Sequence, residues 1–117
     1  MLKLADKRIY LACGRTDMRK SINGLAVIVE VNFKLDPFGK AIFVFCNSRQ
    51  NRLKILEWDG DGFWLHFKRL EKGRFKWPAA GADETMILEQ EELYHLLRGP
   101  RVVQKLMRQE VKTGSMV

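Results

Sequence analysis

Asp59 and Asp61, His66 and His95, and Cys13 and Cys46 are the side chains in this sequence best suited to metal binding or proton transfer. Their spacing serves neither. The aspartates sit in Asp59-Gly60-Asp61-Gly62, where turn chemistry accounts for them. A calcium loop would need further oxygen ligands and a closing Glu. The two histidines fall on separate elements, with no acid or nucleophile spaced to work with either, and a general base needs a positioned partner. Two cysteines without CxxC spacing or paired histidines do not form a zinc site. Each lies in an apolar stretch and reads as a reduced core thiol, in keeping with a cytosolic compartment. A two-metal nuclease needs several converging carboxylates, and Asp17, Asp36, Asp59 and Glu71 carry no spacing that brings them together. Neither a GxxxxGK[ST] nor a GxGxxG phosphate loop occurs. The chain is therefore expected to have no catalytic residue, no metal and no cofactor, and not to be an enzyme.

The cations carry more information. Net charge is +7 with a pI near 9.7. Residues 1–78 hold 16 Lys/Arg against 8 Asp/Glu, whereas residues 79–117 hold 5 against 6. A basic excess confined to the first two-thirds points to a polyanion, nucleic acid before membrane, because no basic amphipathic helix stands out. The longest apolar run, Ala41–Cys46, is far below the roughly 20 residues of a membrane span. The N-terminus has no apolar signal core. A cytoplasmic protein without membrane contact is the expectation.

The elements that would position these cations can be read from periodicity. Residues 8–13 are β-rich and end at Gly14, so they form a short strand. Thr16 or Asp17 can cap a helix whose inward stripe is Met18, Ile22, Leu25 and Val29, running to about Val31. Gly24, inside that helix, suggests close packing against a neighbour. Asp36-Pro37-Phe38-Gly39 is a turn. Ala41–Cys46 is apolar at every position and reads as a central strand covered on both faces. Arg52–Trp58 and residues 63–70 are strands joined by the two Asp-Gly pairs, a hairpin signal. Pairing Trp58 with Phe63 puts Leu56, Leu65, Phe67, Lys54, Arg52 and Arg69 on one face. Glu57, Trp64, Ile55, His66, Leu53 and Lys68 then share the other, and the end distant from the turn is cationic. Residues 86–88 form a short strand. Residues 89–98 form a helix with Leu93, Leu96 and Leu97 inward, stopping at Gly99-Pro100, and residues 101–109 add another helical turn or two. The fold class is α+β: a small antiparallel sheet with a packed helix from the N-terminal half and a helical C-terminal segment. One domain spans residues 1–110, with residues 111–117 as a tail.

Gly14-Arg15-Thr16-Asp17-Met18-Arg19-Lys20, Gly24-Leu25-Ala26, Asp36-Pro37-Phe38 and Phe43-Val44-Phe45 come in an ordered series. Arg52-Leu53-Lys54-Ile55-Leu56, Trp58-Asp59-Gly60-Asp61-Gly62-Phe63, Lys68-Arg69-Leu70-Glu71 and Gly73-Arg74-Phe75-Lys76-Trp77-Pro78 continue it. The series resembles the TnpB accessory proteins, encoded by the second reading frame of the insertion-sequence-66 family of bacterial transposable elements, over residues 8–100. Glu30-Val31-Asn32-Phe33 and Asn47-Ser48-Arg49-Gln50 depart from that pattern. The resemblance implies a role in DNA transposition beside a separately encoded transposase, without a defined catalytic activity of its own.

Two groups of cations are candidates for nucleic-acid contact. Arg15, Arg19 and Lys20 would meet phosphate beside the helix start, where unpaired amides favour anions. Arg52, Lys54, Lys68, Arg69, Arg74 and Lys76 would form a strip along a DNA backbone, with Trp77 or Trp64 stacking on an unpaired base. The plainer readings are a capped helix start and a solvated strand face, with Trp58 in the core. The expected function is a non-catalytic DNA-binding accessory protein of transposition. The competing ones are a protein-interaction module for the transposase that does not touch DNA, and a metal-dependent nuclease using one of Asp17, Asp59 or Asp61.

Overall fold

The computed structural model describes residues 2–98. In chain order the strands are β1 (Arg8–Ala12), β2 (Ala41–Cys46), β3 (Arg52–Trp58), β4 (Phe63–Arg69) and β5 (Thr85–Leu88). Helix α1 (Ile22–Val27) lies between β1 and β2, and α2 (Gln90–Arg98) follows β5. The sheet order is β4-β3-β2-β1-β5. β2 is central and buried at all six positions, as its unbroken apolar character requires. The sheet is mostly antiparallel. Its one parallel pair, β1 with β2, arises because α1 carries the chain across the sheet between them.

Each face of the sheet has its own apolar layer. On one, Ile9, Leu11, Ile42, Val44, Leu53 and Ile55 pack under Phe75, Trp77 and Leu93, with Leu96 and Leu97 of α2 against them. On the other, Phe43, Phe45 and Leu56 meet Leu25 and Val29, with Met18, Ile22 and Phe33 alongside. Of the stripe read from spacing, Leu25 and Val29 are buried, and Met18 and Ile22 are half-buried against the same layer.

The helix begins later than expected. Asp17 does not cap it. Its Oδ1 accepts from the Arg19 backbone N–H at 2.9 Å, and both its oxygens take the Arg19 guanidinium. The Lys54 ammonium, reaching from β3, donates to the carbonyls of Met18 and Lys20, both at 2.8 Å. An earlier helix would have paired those carbonyls with amides four residues on. The first α-helical bond is instead Leu25 N–H to Ser21 O, at 2.9 Å. After Val27 the helix widens into a π-helical segment, Ile28–Asn32, with Phe33 N–H donating to Ile28 O. That segment stacks Phe33 on Phe45, with centroids 6.3 Å apart. Gly24 does not admit a neighbouring element: a Cβ there would meet the Lys20 side chain of its own turn, at 3.2 Å.

The hairpin register is the expected one, Trp58 opposite Phe63 and Arg52 opposite Arg69. Residues 86–88 fall within β5, and the expected helix of residues 89–98 is α2, which starts one residue later at Gln90; the preceding Glu89 N–H donates to Glu92 Oε1. The helix stop at Gly99-Pro100, the helical turns of residues 101–109 and the tail of residues 111–117 lie outside the described residues.

Candidate nucleic-acid interface

Strand direction decides which loops share an end of the sheet. β1, β2 and β4 finish, and β3 and β5 begin, at the same end. The loop after β1, the β2–β3 turn and the segment after β4 therefore meet there. Backbone bonds tie them together. Thr16 N–H donates to Cys46 O, Leu70 N–H to Asn51 O, Phe75 N–H to Gln50 O and Gly14 N–H to Pro78 O. Gly14 has φ of +77°, and a Cβ on it would lie 2.9 Å from that of Ala80, so this close approach requires glycine.

Asn47 shapes the β2–β3 turn. Its Oδ1 accepts from the backbone N–H groups of Asn51 and Arg52, each at 3.0 Å, and its Nδ2 donates to Asn51 Oδ1 at 2.8 Å. The side-chain pairing of Asn47 is what presents Arg49 to solvent and Gln50 O to Phe75.

The joined end collects Arg15, Arg19, Lys20, Arg49, Arg52, Arg69, Lys72, Arg74 and Lys76 against Asp17, Glu71, Asp83 and Glu84. Two of the cations are engaged by acids. Arg19 Nη2 lies 2.8 Å from Asp17 Oδ2, and Arg69 Nε 2.8 Å from Glu71 Oε2. The bonds from Arg19 hold the Asp17 carboxyl down to about 2. Arg15 and Lys20 line a hollow that also contains Asp17, Asp83 and Glu84, so its field is mixed. Arg52, Arg74 and Lys76 form no ion pair among the described residues.

Four of the expected contact residues have other positions. Trp77 is buried, 9 % exposed, and its indole N–H donates to Ala12 O at 2.9 Å. A ring packed in this way has no open face for a base. The segment alternates, with Phe75 and Trp77 inward and Arg74 and Lys76 outward, so burying its aromatics is what displays its cations. Lys54 is committed to backbone carbonyls. Lys68 lies on the opposite face, and its ammonium donates to Leu97 O of α2. Trp64 is open, 47 % exposed, but lies toward the hairpin turn, with its Nε1 on Asp59 Oδ2 at 3.0 Å.

At the other end of the sheet is a buried ionic cluster that sequence reading missed. Glu57, 0 % exposed, accepts from Lys7 Nζ at 2.8 Å, from Lys3 N–H at 2.9 Å and from His66 Nε2 at 2.8 Å. Burial alone would raise its carboxyl, but these three donors together hold it below its ordinary value. Alternation placed Glu57 on the face of Ile55 and Leu53, which was the available signal. Asp59 is in the hairpin loop at this end and Asp17 at the other, so these two carboxylates do not share a site. Among the described residues no three His, Cys, Asp or Glu side chains group as a metal site, and no helix is long and apolar enough to cross a membrane. Burial pushes the Cys46 thiol up to about 11 and also raises that of Cys13.

The profile of IS66 Orf2-like proteins matches residues 7–107. The chain belongs to that family. Family membership points to an accessory role in transposition. The chain is also 38 % identical over 92 residues to the uncharacterized protein y4hO of Sinorhizobium fredii, covering 79 % of each. It is 35 % identical over 110 residues to the uncharacterized protein y4jC of the same organism, covering 92 % of this chain and 93 % of that one. No solved structure matches.

Proposed function

We propose that this protein is a non-catalytic accessory component of IS66 transposition that binds DNA through the cationic end of its sheet and works beside a separately encoded transposase. The observation that carries the reading is the convergence of cations from three distant stretches of chain, around residues 15–20, 49–52 and 69–76, at loops bonded to one another. Local solvation of single charges does not require such gathering. Phosphates spaced along a strand do use it.

Duplex binding measured across a salt series tests the proposal. Each phosphate contact contributes a slope of about 0.9 log units of affinity per decade of salt. Replacing Arg52, Arg69 and Arg74 together with Ala is expected to flatten that slope by two to three contacts' worth. Unchanged affinity and slope in a folded triple variant would reject this surface.

The transposase contact has a separate candidate surface. β5 is an edge strand whose other side has no partner among the described residues, and it exposes Met86 and Ile87, with Tyr94 of α2 also exposed. An open edge with apolar side chains suits pairing with another chain. Substituting Ile87 with Lys is expected to abolish co-purification with the transposase while leaving DNA binding intact.

A further inference from the structure

We infer that the hollow beside Phe67 takes an unpaired base of single-stranded DNA, stacked on the Phe67 ring. This rests on the DNA-binding reading above and adds the form of the strand and the ring that meets it.

Phe67 is 55 % exposed, whereas Phe63 and Leu65, earlier on the same face of β4, pack into the core. A single exposed aromatic is ordinary on a protein surface. Its surroundings distinguish this one. Lys54 is its direct cross-strand partner, with Nζ 6.0 Å from the ring centroid, and Arg52 opposite Arg69 comes next on the same face. The ring thus has one cation directly across the ladder and two more at the next pair of the same face. Lys54, held by the Met18 and Lys20 carbonyls, sets its ammonium over one face of the ring before any ligand arrives, so a stacking base would take the other face. Together Asp17, Met18, Arg19, Arg52, Lys54 and Phe67 line an open hollow of about 640 Å³. Met18 supplies apolar floor, and Arg52, with no acidic partner among the described residues, stands at its rim.

An exposed ring with an unpaired cation beside it, here Arg52, suits a single strand, because every base has a face to stack and the strand's phosphates a charge to meet. A duplex keeps its bases stacked on each other and could use only the cations. An apolar protein segment would find the rim charged and the Asp17–Arg19 pair across its path, which disfavours it relative to a polyanion.

The test is binding of the full chain to a fluorescent oligothymidylate of about 12 nucleotides and to a duplex of equal length, at one salt concentration. Phe67→Leu keeps apolar bulk and removes the aromatic face, and Phe67→Tyr keeps both. The leucine variant is expected to lose about tenfold in single-strand affinity with duplex affinity unchanged, and the tyrosine variant to bind like the parent. If Phe67→Leu binds the single strand normally while Arg52→Ala weakens both ligands, stacking is overturned and the cationic surface stands. Equal losses in Phe67→Leu and Phe67→Tyr would also overturn it, since the ring would then act through packing. If the parent chain binds neither ligand, this inference falls together with the reading it rests on.

Discussion

Arg52 and Arg69 stand directly opposite each other across the β3–β4 ladder, two guanidinium groups on one face of the sheet. Like charges in that relation destabilise a strand pair, by about 0.2–1 kcal/mol on the scale of cross-strand pairs. Glu71 relieves Arg69 alone. A surface shaped for stability would not place them so, whereas an anion between them would turn the repulsion into attraction.

Arg52→Thr is therefore expected to raise stability, by up to about 1 kcal/mol, while weakening duplex binding. Thermal unfolding and DNA titration on the same preparation check both. A variant that loses stability and keeps its DNA affinity would show that Arg52 serves the fold.

Removing the Glu57 carboxylate should be among the most damaging changes available. Glu57→Gln leaves Lys7, 14 % exposed in its side chain, without its counter-charge. Breaking one side of a buried pair costs about 3–5 kcal/mol. The expected readout is a large fall in the urea midpoint with the slope of the transition unchanged. DNA affinity of the folded fraction should be preserved, because the cluster is at the other end of the sheet.

The same carboxylate predicts the acid limb of stability. Its folded-state value is depressed below 4.5, so the unfolded chain binds its proton more readily. Stability from this group is complete above the unfolded value and is lost as pH falls through the folded one. Urea midpoints should decline below about pH 4.5, and Glu57→Gln should show a shallower decline. Asp17 has the same sign, with loss extending toward about 2. It is open to solvent, where screening leaves such a pair little weight.

Trp77→Phe separates packing from base recognition. The phenylalanine ring keeps most of the buried area but leaves Ala12 O without its indole donor. A cost of about 1–3 kcal/mol is expected, as for an unsatisfied buried acceptor. Single-strand and duplex affinities should not change. A selective loss of single-strand binding at full stability would restore Trp77 to the interface.

Much of the architecture was legible along the chain because it is local. The Asp-Gly pairs set the hairpin, and alternation then put Arg52 and Arg69 at its far end. Continuous apolarity identified the central strand, and helical spacing identified the stripe Met18, Ile22, Leu25 and Val29. The start of α1 was misplaced for a non-local reason: Lys54, more than thirty residues on, takes the carbonyls that a longer helix would have used. Phe67 was read as one more residue of the apolar face, since periodicity assigns a face but not where its cover ends.

By itself, then, the sequence determined the elements, their inward faces and the family, all carried by residues near one another in the chain. Tertiary structure alone decided that Trp77 is core, that Glu57 is buried among donors from the N-terminal segment and from β4, and that three basic stretches share one end. Those outcomes depend on contacts between positions as far apart as 65 residues, Trp77 and Ala12 among them. Periodicity constrains which way a side chain faces, but only chain closure across the sheet determines what it meets.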